Sequence, residues 1–332
     1  MIAEAGVNHN GRVELAHRLV DAAAQAGADA VKFQTFDPEL LAAADAPQAD
    51  YQRLATMSSA SQREMLRELV LPREAHAELA RHAGDRGLVF LSSPFDRPAA
   101  DFLEQLGVPA FKIPSGELTN HRLLAHVARF GRPMLVSTGM SLMEEVASAI
   151  AAIRAARDVP LALFHCVSSY PAEPRHANLR AIATLAREFG VPAGWSDHTP
   201  GTVIAVAAVA LGAALLEKHL TIDRELPGPD HRASLEPGEF ARLVREVREV
   251  ESALGDGRKQ PQPPEAAIAA VARKSLHWRV DLPAGTLVTE EHLYASRPGT
   301  GLPPSDEALI TGRRLREAVR AGTRVREQDL EP

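Results

Sequence analysis

The feature that most constrains this chain is a rhythm in its apolar residues. Short β-rich runs alternate with longer Ala-, Leu- and Arg-rich stretches of helical period. The runs are "IAEAGV" (2–7), "AVKFQTF" (30–36), "LVFLSSPF" (88–95), "AFKIPSGE" (110–117), "PMLVSTGM" (133–140), "LALFHCVSSYP" (161–171), "AGWSDHT" (193–199) and "LLEKHLTID" (215–223). Eight βα units in about 255 residues predict an α/β chain with a (β/α)8 TIM barrel. The alternative, a doubly wound open sheet, normally carries a Gly-rich phosphate loop after its first strand. "GVNHNG" (6–11) lacks that pattern. The stretch 37–72 is long for a βα connection, and a short helix is expected near "SASQREMLREL" (59–69), placed to cover the barrel mouth.

The runs share an asymmetry. Their first halves are apolar, whereas their last halves carry Glu4, Asn8, Lys32, Gln34, Ser92, Ser93, Lys112, Ser115, Glu117 and Ser137. Later runs add Tyr170, Ser196, Asp197, His198, Glu217 and His219. Burying unpaired charge is costly, so ionisable groups inside strands need partners or a task. In (β/α)8 enzymes the site is built at the C-terminal ends of the strands, where these residues would meet. Period-two alternation puts Glu217, His219 and Thr221 on one strand face and Lys218 on the other; Ser196 and His198 likewise share a face.

The barrel is read as residues 1–256. "GDGRKQPQPPEAA" (255–267) is Gly/Pro/Gln-rich and polar, which marks a linker over 257–270. The remainder, 271–332, contains an echo: "DLPAGTLVTEEHL" (281–293) and "AVRAGTRVREQDL" (318–330) share AGT, a valine, an acidic residue and a closing leucine. Two related halves predict a small β-rich module with pseudo-two-fold symmetry. About 60 residues is a marginal size for an independent core, so the module is expected to lean on something larger.

Composition excludes several classes. Net charge is −6 with no block of basic residues, which argues against a nucleic-acid or anionic-membrane partner. The single cysteine, Cys166, rules out an intrachain disulfide or a Cys-rich zinc site, and its mid-strand position reads as packing. The N-terminus lacks a secretory pattern. The longest apolar run, 203–216, falls short of the roughly 18 residues that span a bilayer. A cytoplasmic protein is expected.

Two imidazoles at neighbouring strand ends, His198 and His219, with carboxylates nearby, suit a divalent metal with open positions; two hydrogen-bonded structural histidines are the competing reading. Lys32 and Lys112 lie within apolar strands, where lysine is rare unless paired or functional. They fit either a Schiff-base lysine or a phosphate-binding point charge. The strand-end hydroxyls of Ser93, Ser115 and Ser137 favour the phosphate reading. "RPGTG" (297–301) offers Arg297 on a stiffened loop; it would recognise a carboxylate, amide or phosphate, or simply sit exposed.

With "IAEAGVNHNG", "GADAVKFQTF", "FKIPSGE", "VSTGM", "WSDHT", "EKHLT", "LPGPDHRASLEP" and "RPGTG" in that order, nearly the whole chain resembles the sialic acid synthase family. Its end resembles the antifreeze-protein-like SAF (β-clip) domain of those enzymes. The resemblance implies a transferase that condenses phosphoenolpyruvate with the open-chain aldehyde of an N-acylated amino-sugar. N-acetylmannosamine, giving N-acetylneuraminate and phosphate by C–O cleavage, is the first expectation; legionaminate synthesis from 2,4-diacetamido-2,4,6-trideoxymannose is the alternative. It also implies Mn²⁺ or Mg²⁺ on His198 and His219, and a phosphate cradle of Lys32, Ser93, Lys112, Ser115, Ser137 and Ser196. Glu4, Glu117, Tyr170 and Asp230 would contact the sugar or handle protons. It further implies a domain-swapped homodimer in which Arg297 reaches the partner's sugar N-acyl group.

Two departures from the family pattern carry expectations. Only Met1 precedes "IAEAGV", so the first strand is expected to fray and to hold Glu4 less firmly. Ser93 stands where the family has threonine, which keeps the hydroxyl. The loop "GPDHRASLEP" has the look of the sialic or legionaminic branch and not the pseudaminic one. A Schiff-base aldolase using Lys32 or Lys112, and a non-catalytic sugar-binding barrel, are the competing functions.

Overall fold

The apolar runs form one parallel sheet curled almost shut. In this computed structural model, which describes residues 1–57 and 60–332, the strands are β1 (Ile2–Gly6), β2 (Ala30–Thr35), β3 (Val89–Pro94), β4 (Phe111–Ile113), β5 (Met134–Ser137), β6 (Leu161–Cys166), β7 (Ala193–Asp197) and β8 (Leu216–His219). They pair in the order β3-β2-β1-β8-β7-β6-β5-β4. β3 and β4 lie side by side and close the barrel without a ladder among the described residues. Helices such as Val13–Gln25, Arg73–Asp85 and Pro237–Leu254 bury an apolar stripe against the outer face, in the main core.

Each strand stops before its apolar run predicts. β4 is the clearest case: Pro114 has no N–H to give a ladder, and Ser115–Glu117 wind into a 3-10 turn. The polar residues therefore divide between the strands themselves, as for Glu4, Lys32, Ser93, Lys112, Ser137 and Glu217, and the loops that follow them at the C-terminal rim, as for Ser115, Tyr170 and His198. Below them, inside the barrel, Ile2, Ala30, Leu91 and Phe164 form a small apolar plug. That plug excludes water from the bottom and sets a low-dielectric floor beneath the charged groups.

The first strand does not fray. All five residues of β1 are buried, because the strand lies between β2 and β8 and not at a sheet edge. Registers of Glu4 with Lys32 and with His219 fix the carboxylate at the centre of the rim.

The long β2-to-helix connection folds into three short helices, Pro38–Leu41, Asp50–Thr56 and Gln62–Arg67. The expected helix near 59–69 corresponds to the last of these; Ser59 lies outside the described residues. Ser61 and Glu64 close a capping box at its start: the Ser61 N–H donates to the Glu64 carboxylate at 2.8 Å. Val7, Phe36, Ala42, Met65, Leu66 and Leu69 make a separate apolar cluster that ties this insertion to the rim.

The chain divides into compact units at Met1–Gly255 and Asp256–Pro332. Across the end of the stretch read as a linker, Glu265–Ala272 form a helix, since "EAAIAAVA" is rich in helix formers and follows two prolines. The smaller unit pairs β9 (Ser275–Trp278) with β10 (Leu293–Ser296) antiparallel. Its sequence echo is structural. Leu282 and Val319 exchange backbone hydrogen bonds, Val288, Val325, Leu293 and Leu330 share one core, and 3-10 turns occur at Glu290–His292 and Glu327–Asp329. Gly285 and Gly322 both hold φ +77°, which explains the repeated glycine. Among the described residues no helix is long and apolar enough to cross a membrane.

Candidate active site

A cavity of about 430 Å³ opens at the C-terminal rim of the barrel. Its floor is a layer of four buried charges. Lys32 Nζ lies 2.6 Å from Glu4 Oε2 and 3.8 Å from Glu217 Oε2, and Lys112 Nζ lies 3.0 Å from Glu217 Oε1. Lys112 also sits over the Phe164 ring of the apolar plug, 5.1 Å from its centroid. Two cations and two carboxylates balance, which is what permits such burial.

The two carboxylates are not equivalent. Burial pushes Glu4 up to about 7, and Lys32 offsets this only in part. Burial acts on Glu217 too, but Lys112 and Lys32 together hold it down to about 2. Glu217 is thus a fixed anion and Glu4 a carboxyl that can carry a proton near neutrality.

Hydroxyls ring the same floor. Ser93 Oγ accepts from Lys32 Nζ at 3.1 Å, and Ser196 Oγ donates to Glu217 Oε1 at 2.9 Å. Ser115 Oγ accepts from the Gly139 N–H at 3.0 Å and lies 3.1 Å from Cys166 Sγ. A Cβ on Gly139 would meet Ser115 Oγ at 2.8 Å and Cys166 Sγ at 2.9 Å, so only glycine lets this backbone approach. Ser137 Oγ is buried with no hydrogen-bond partner among the described residues. It is a polar group of the cavity lining that its own surroundings leave unsatisfied.

His198 and His219 face each other across neighbouring strand ends, with ring centroids 5.4 Å apart. His198 Nδ1 is engaged by the Val167 carbonyl at 2.7 Å, which leaves Nε2 for the cavity. His219 Nδ1 is buried without a partner among the described residues. Burial lowers His198 to about 4 and His219 well below the usual histidine range, so both are neutral at pH 7. Unprotonated imidazoles with a free nitrogen are what a divalent ion requires. Among the described residues no group of three or more His, Cys, Asp or Glu converges as a metal cage, so any ion here would complete its sphere with water or substrate oxygen.

Tyr170 lies over His198 at 4.1 Å between centroids and stacks on Tyr51 of the insertion at 5.0 Å. Asp230 lines the same side, its carboxyl raised to about 6 by burial. Glu117, expected with these groups, is absent from the cavity lining. The turn after β4 points Ser115 inward and leaves Glu117 accepting from Asn120 Nδ2 at 2.8 Å, half-buried outside. Arg297 belongs to the smaller unit, exposed, with Nε donating to the Ala272 carbonyl at 2.9 Å.

Lys218, the opposite-facing residue of β8, has a separate role. Its ammonium is fully buried, bonded to Asp197 Oδ2 at 2.8 Å and to the Thr199 carbonyl, and it clamps β7 to β8. Sequence reasoning left Glu217 and Tyr51 without roles. The alternation that placed Glu217 beside His219 was the available signal for the first; Tyr51 lies in a polar stretch with no periodicity to expose it.

Comparison with known proteins agrees with this architecture. Residues 19–259 match the NeuB family and residues 273–331 the SAF domain. The chain is 45% identical over 327 residues, 97% of its length and 92% of the relative's, to N,N'-diacetyllegionaminic acid synthase of Legionella pneumophila. It is 41% identical over 304 residues, 91% of each chain, to the synthase of the same name from Campylobacter jejuni. The crystal structure of N-acetylneuraminic acid (sialic acid) synthetase from Leptospira borgpetersenii, in complex with citrate, aligns with a TM-score of 0.71 at 35% identity, covering 80% of this chain and 88% of that one. A barrel floored with balanced charge, a rim of hydroxyls and a terminal SAF module thus find their relatives together: the chain belongs to the NeuB family of phosphoenolpyruvate-condensing amino-sugar synthases.

Proposed function

We propose that this enzyme condenses phosphoenolpyruvate with 2,4-diacetamido-2,4,6-trideoxymannose to give a legionaminate-type nine-carbon 2-keto acid and phosphate. N-acetylmannosamine, the first expectation from the sequence, becomes the second choice, because the Legionella and Campylobacter relatives, both above 40% identity, carry the legionaminate name. The observation that carries the chemistry is the floor of two lysines under a ring of hydroxyls, one of them unpartnered among the described residues.

On this reading Lys32 and Lys112 hold the phosphate and carboxylate of phosphoenolpyruvate, with Ser93, Ser115, Ser137, Ser196 and the Gly139 N–H completing the cradle. Glu217 keeps both ammonium groups charged and aimed. C3 of phosphoenolpyruvate bonds to the sugar aldehyde carbon, water adds at the former C2, and the C–O bond to phosphate breaks. Glu4, the carboxyl poised near neutrality, carries the proton that the aldehyde oxygen gains. Asp230 and Tyr170 orient the sugar from the rim. His198 and His219 would hold Mn²⁺ or Mg²⁺, supplying Lewis-acid polarisation. On this reading Glu117 contributes through its hydrogen bond from Asn120, in the turn that carries Ser115.

We further propose that two chains pair with Arg297 of one serving the barrel mouth of the other. Its exposed position supports this, as do Nη groups unengaged among the described residues and the small size of its unit. The test is phosphate release from phosphoenolpyruvate over a panel of N-acyl hexosamines, with and without Mn²⁺. The reading predicts sugar-dependent release that is greatest with the diacetamido sugar. Borohydride trapping of pyruvate on a lysine, without phosphate release, would instead support the aldolase.

A further inference from the structure

Asn8 follows β1, is 1% exposed and lies outside the cavity lining. Its amide reaches the rim loop that follows β8. Nδ2 donates to the Leu220 carbonyl at 2.9 Å and to Ser234 Oγ at 2.8 Å. Ser234 Oγ in turn donates to the Asp230 carbonyl at 2.7 Å. The loop leaves the barrel at Leu220 and returns at Leu235, whose N–H donates to the His219 carbonyl at 2.9 Å. Between those ends it places Pro229 and Asp230 in the cavity lining. A second tie holds the same loop: Asn10 Nδ2 donates to the Pro227 carbonyl at 2.8 Å, and Asn10 Oδ1 faces His231 Nε2 at 3.1 Å.

The bonds of this strut dictate which side chain can stand at its base. The Leu220 carbonyl can only accept, and the Ser234 hydroxyl has given its one proton to Asp230. Both need a donor at the same point, and a primary amide spends one N–H on each; a carboxylate of the same shape has none to give. The far end matters because the Asp230 carboxyl group takes no hydrogen bond from the protein among the described residues. Its place in the cavity is therefore set by its backbone. We infer that Asn8 and Ser234 are positioning residues for sugar binding: through the Asp230 backbone they aim its carboxyl group at the sugar, and they touch no substrate themselves. This deepens, and rests on, the condensing reaction proposed above, in which Asp230 orients the sugar.

The lysines and hydroxyls proposed for phosphoenolpyruvate come from β2, β3, β4, β5, β7 and the turn after β4, none of which the strut touches. Cutting the strut should therefore act on the sugar. Phosphate release with 2,4-diacetamido-2,4,6-trideoxymannose and Mn²⁺ gives both KM values. Asn8→Asp and Ser234→Ala should each raise the KM for sugar about tenfold, the scale of a lost hydrogen bond to a charged group, with the KM for phosphoenolpyruvate within about twofold. Ser234→Ala is the cleaner cut, since it leaves the Asn8–Leu220 bond beside His219 intact. The decisive arm is an Asp230→Ala background. With the carboxyl group gone the strut has nothing to aim, so Ser234→Ala should then change the KM for sugar by less than about twofold.

The same rise from Ser234→Ala with and without Asp230, or equal rises in both KM values, overturns the inference while leaving the condensing reaction standing. So does an unchanged KM for sugar in folded Ser234→Ala protein. If Asn8→Asp fails to fold, Ser234→Ala and its combination with Asp230→Ala decide in its place. Asp230→Ala protein that keeps the wild-type KM for sugar removes Asp230 from the sugar site, and phosphate release that no amino-sugar stimulates overturns the proposed reaction; either takes this inference with it.

Discussion

Replacing Glu217 by glutamine removes one charge from the cavity floor while keeping its shape. Lys112 is then left 3.0 Å from a neutral amide, and Lys32 loses an anion at 3.8 Å. At an effective dielectric of about 20, those attractions amount to about 5 and about 4 kcal/mol. Several kcal/mol return because the carboxylate no longer has to be desolvated, which leaves a net loss of about 3–5 kcal/mol. The sign with pH follows from Lys112, whose pKa burial already lowers below its ordinary value of 10.5. Glu217→Gln lowers it further, so the native state binds fewer protons than the unfolded chain over a wider window. Destabilisation should therefore be full from about pH 5 through neutrality, vanish in strong acid as wild-type Glu217 itself protonates below 4.5, and shrink at alkaline pH as Lys112 loses its proton first in the variant and then in the wild type. Urea unfolding of wild type and variant between pH 6 and 10, with m-values compared, reads this directly. Adding Lys112→Met should recover part of the loss, because it removes the orphaned charge. A loss under about 1 kcal/mol that does not change with pH, or a double variant worse than the sum of its singles, would refute the reasoning.

Three further expectations follow. His198→Ala should abolish Mn²⁺-dependent phosphate release with circular dichroism unchanged; full activity after exhaustive chelation of the wild type would contradict the metal's part. His9 is buried with Nδ1 accepting from the Gly11 N–H at 3.0 Å, and burial lowers its pKa from 6.5 to about 3. Its neutral form is favoured only when folded, so stability should fall as pH drops below 6.5, by about 2 kcal/mol from His9 between pH 7.5 and 5; an identical urea-midpoint slope in His9→Asn would contradict this. Arg297→Ala should raise the KM for sugar well above any change in KM for phosphoenolpyruvate, and sedimentation should show dimers in both proteins. An equal effect on both substrates, or a fully active monomer, would count against the swapped arrangement.

Most of the architecture was legible because it depends on periodicity. Eight apolar runs with polar ends specify a barrel and its active face without reference to any single residue, and the AGT echo specified the paired halves of the SAF unit. What escaped was local backbone geometry. Pro114 and the turn behind it point Ser115 inward and swing Glu117 out of the lining, which spacing alone does not reveal. The first strand looked exposed as the first element in the sequence, yet closure of the sheet put it between two neighbours. Glu217 illustrates a different limit. Alternation showed its direction, but only the approach of Lys32 and Lys112 from other strands explains its ionisation. The side chains that the insertion adds to the cavity were hidden for a similar reason, since Leu41, Tyr51, Gln52, Gln62, Met65, Leu66 and Leu69 come from separate short helices or their flanks.

Phosphoenolpyruvate carrying ¹⁸O at the oxygen that bridges C2 and phosphorus offers the most direct test of the condensation on this charged floor. Incubated with the diacetamido sugar and Mn²⁺, it should lose all of its label with the released phosphate, because the C–O bond breaks after water adds at C2. Label retained in the nine-carbon keto acid, or pyruvate trapped on a lysine with no phosphate released, would contradict the account.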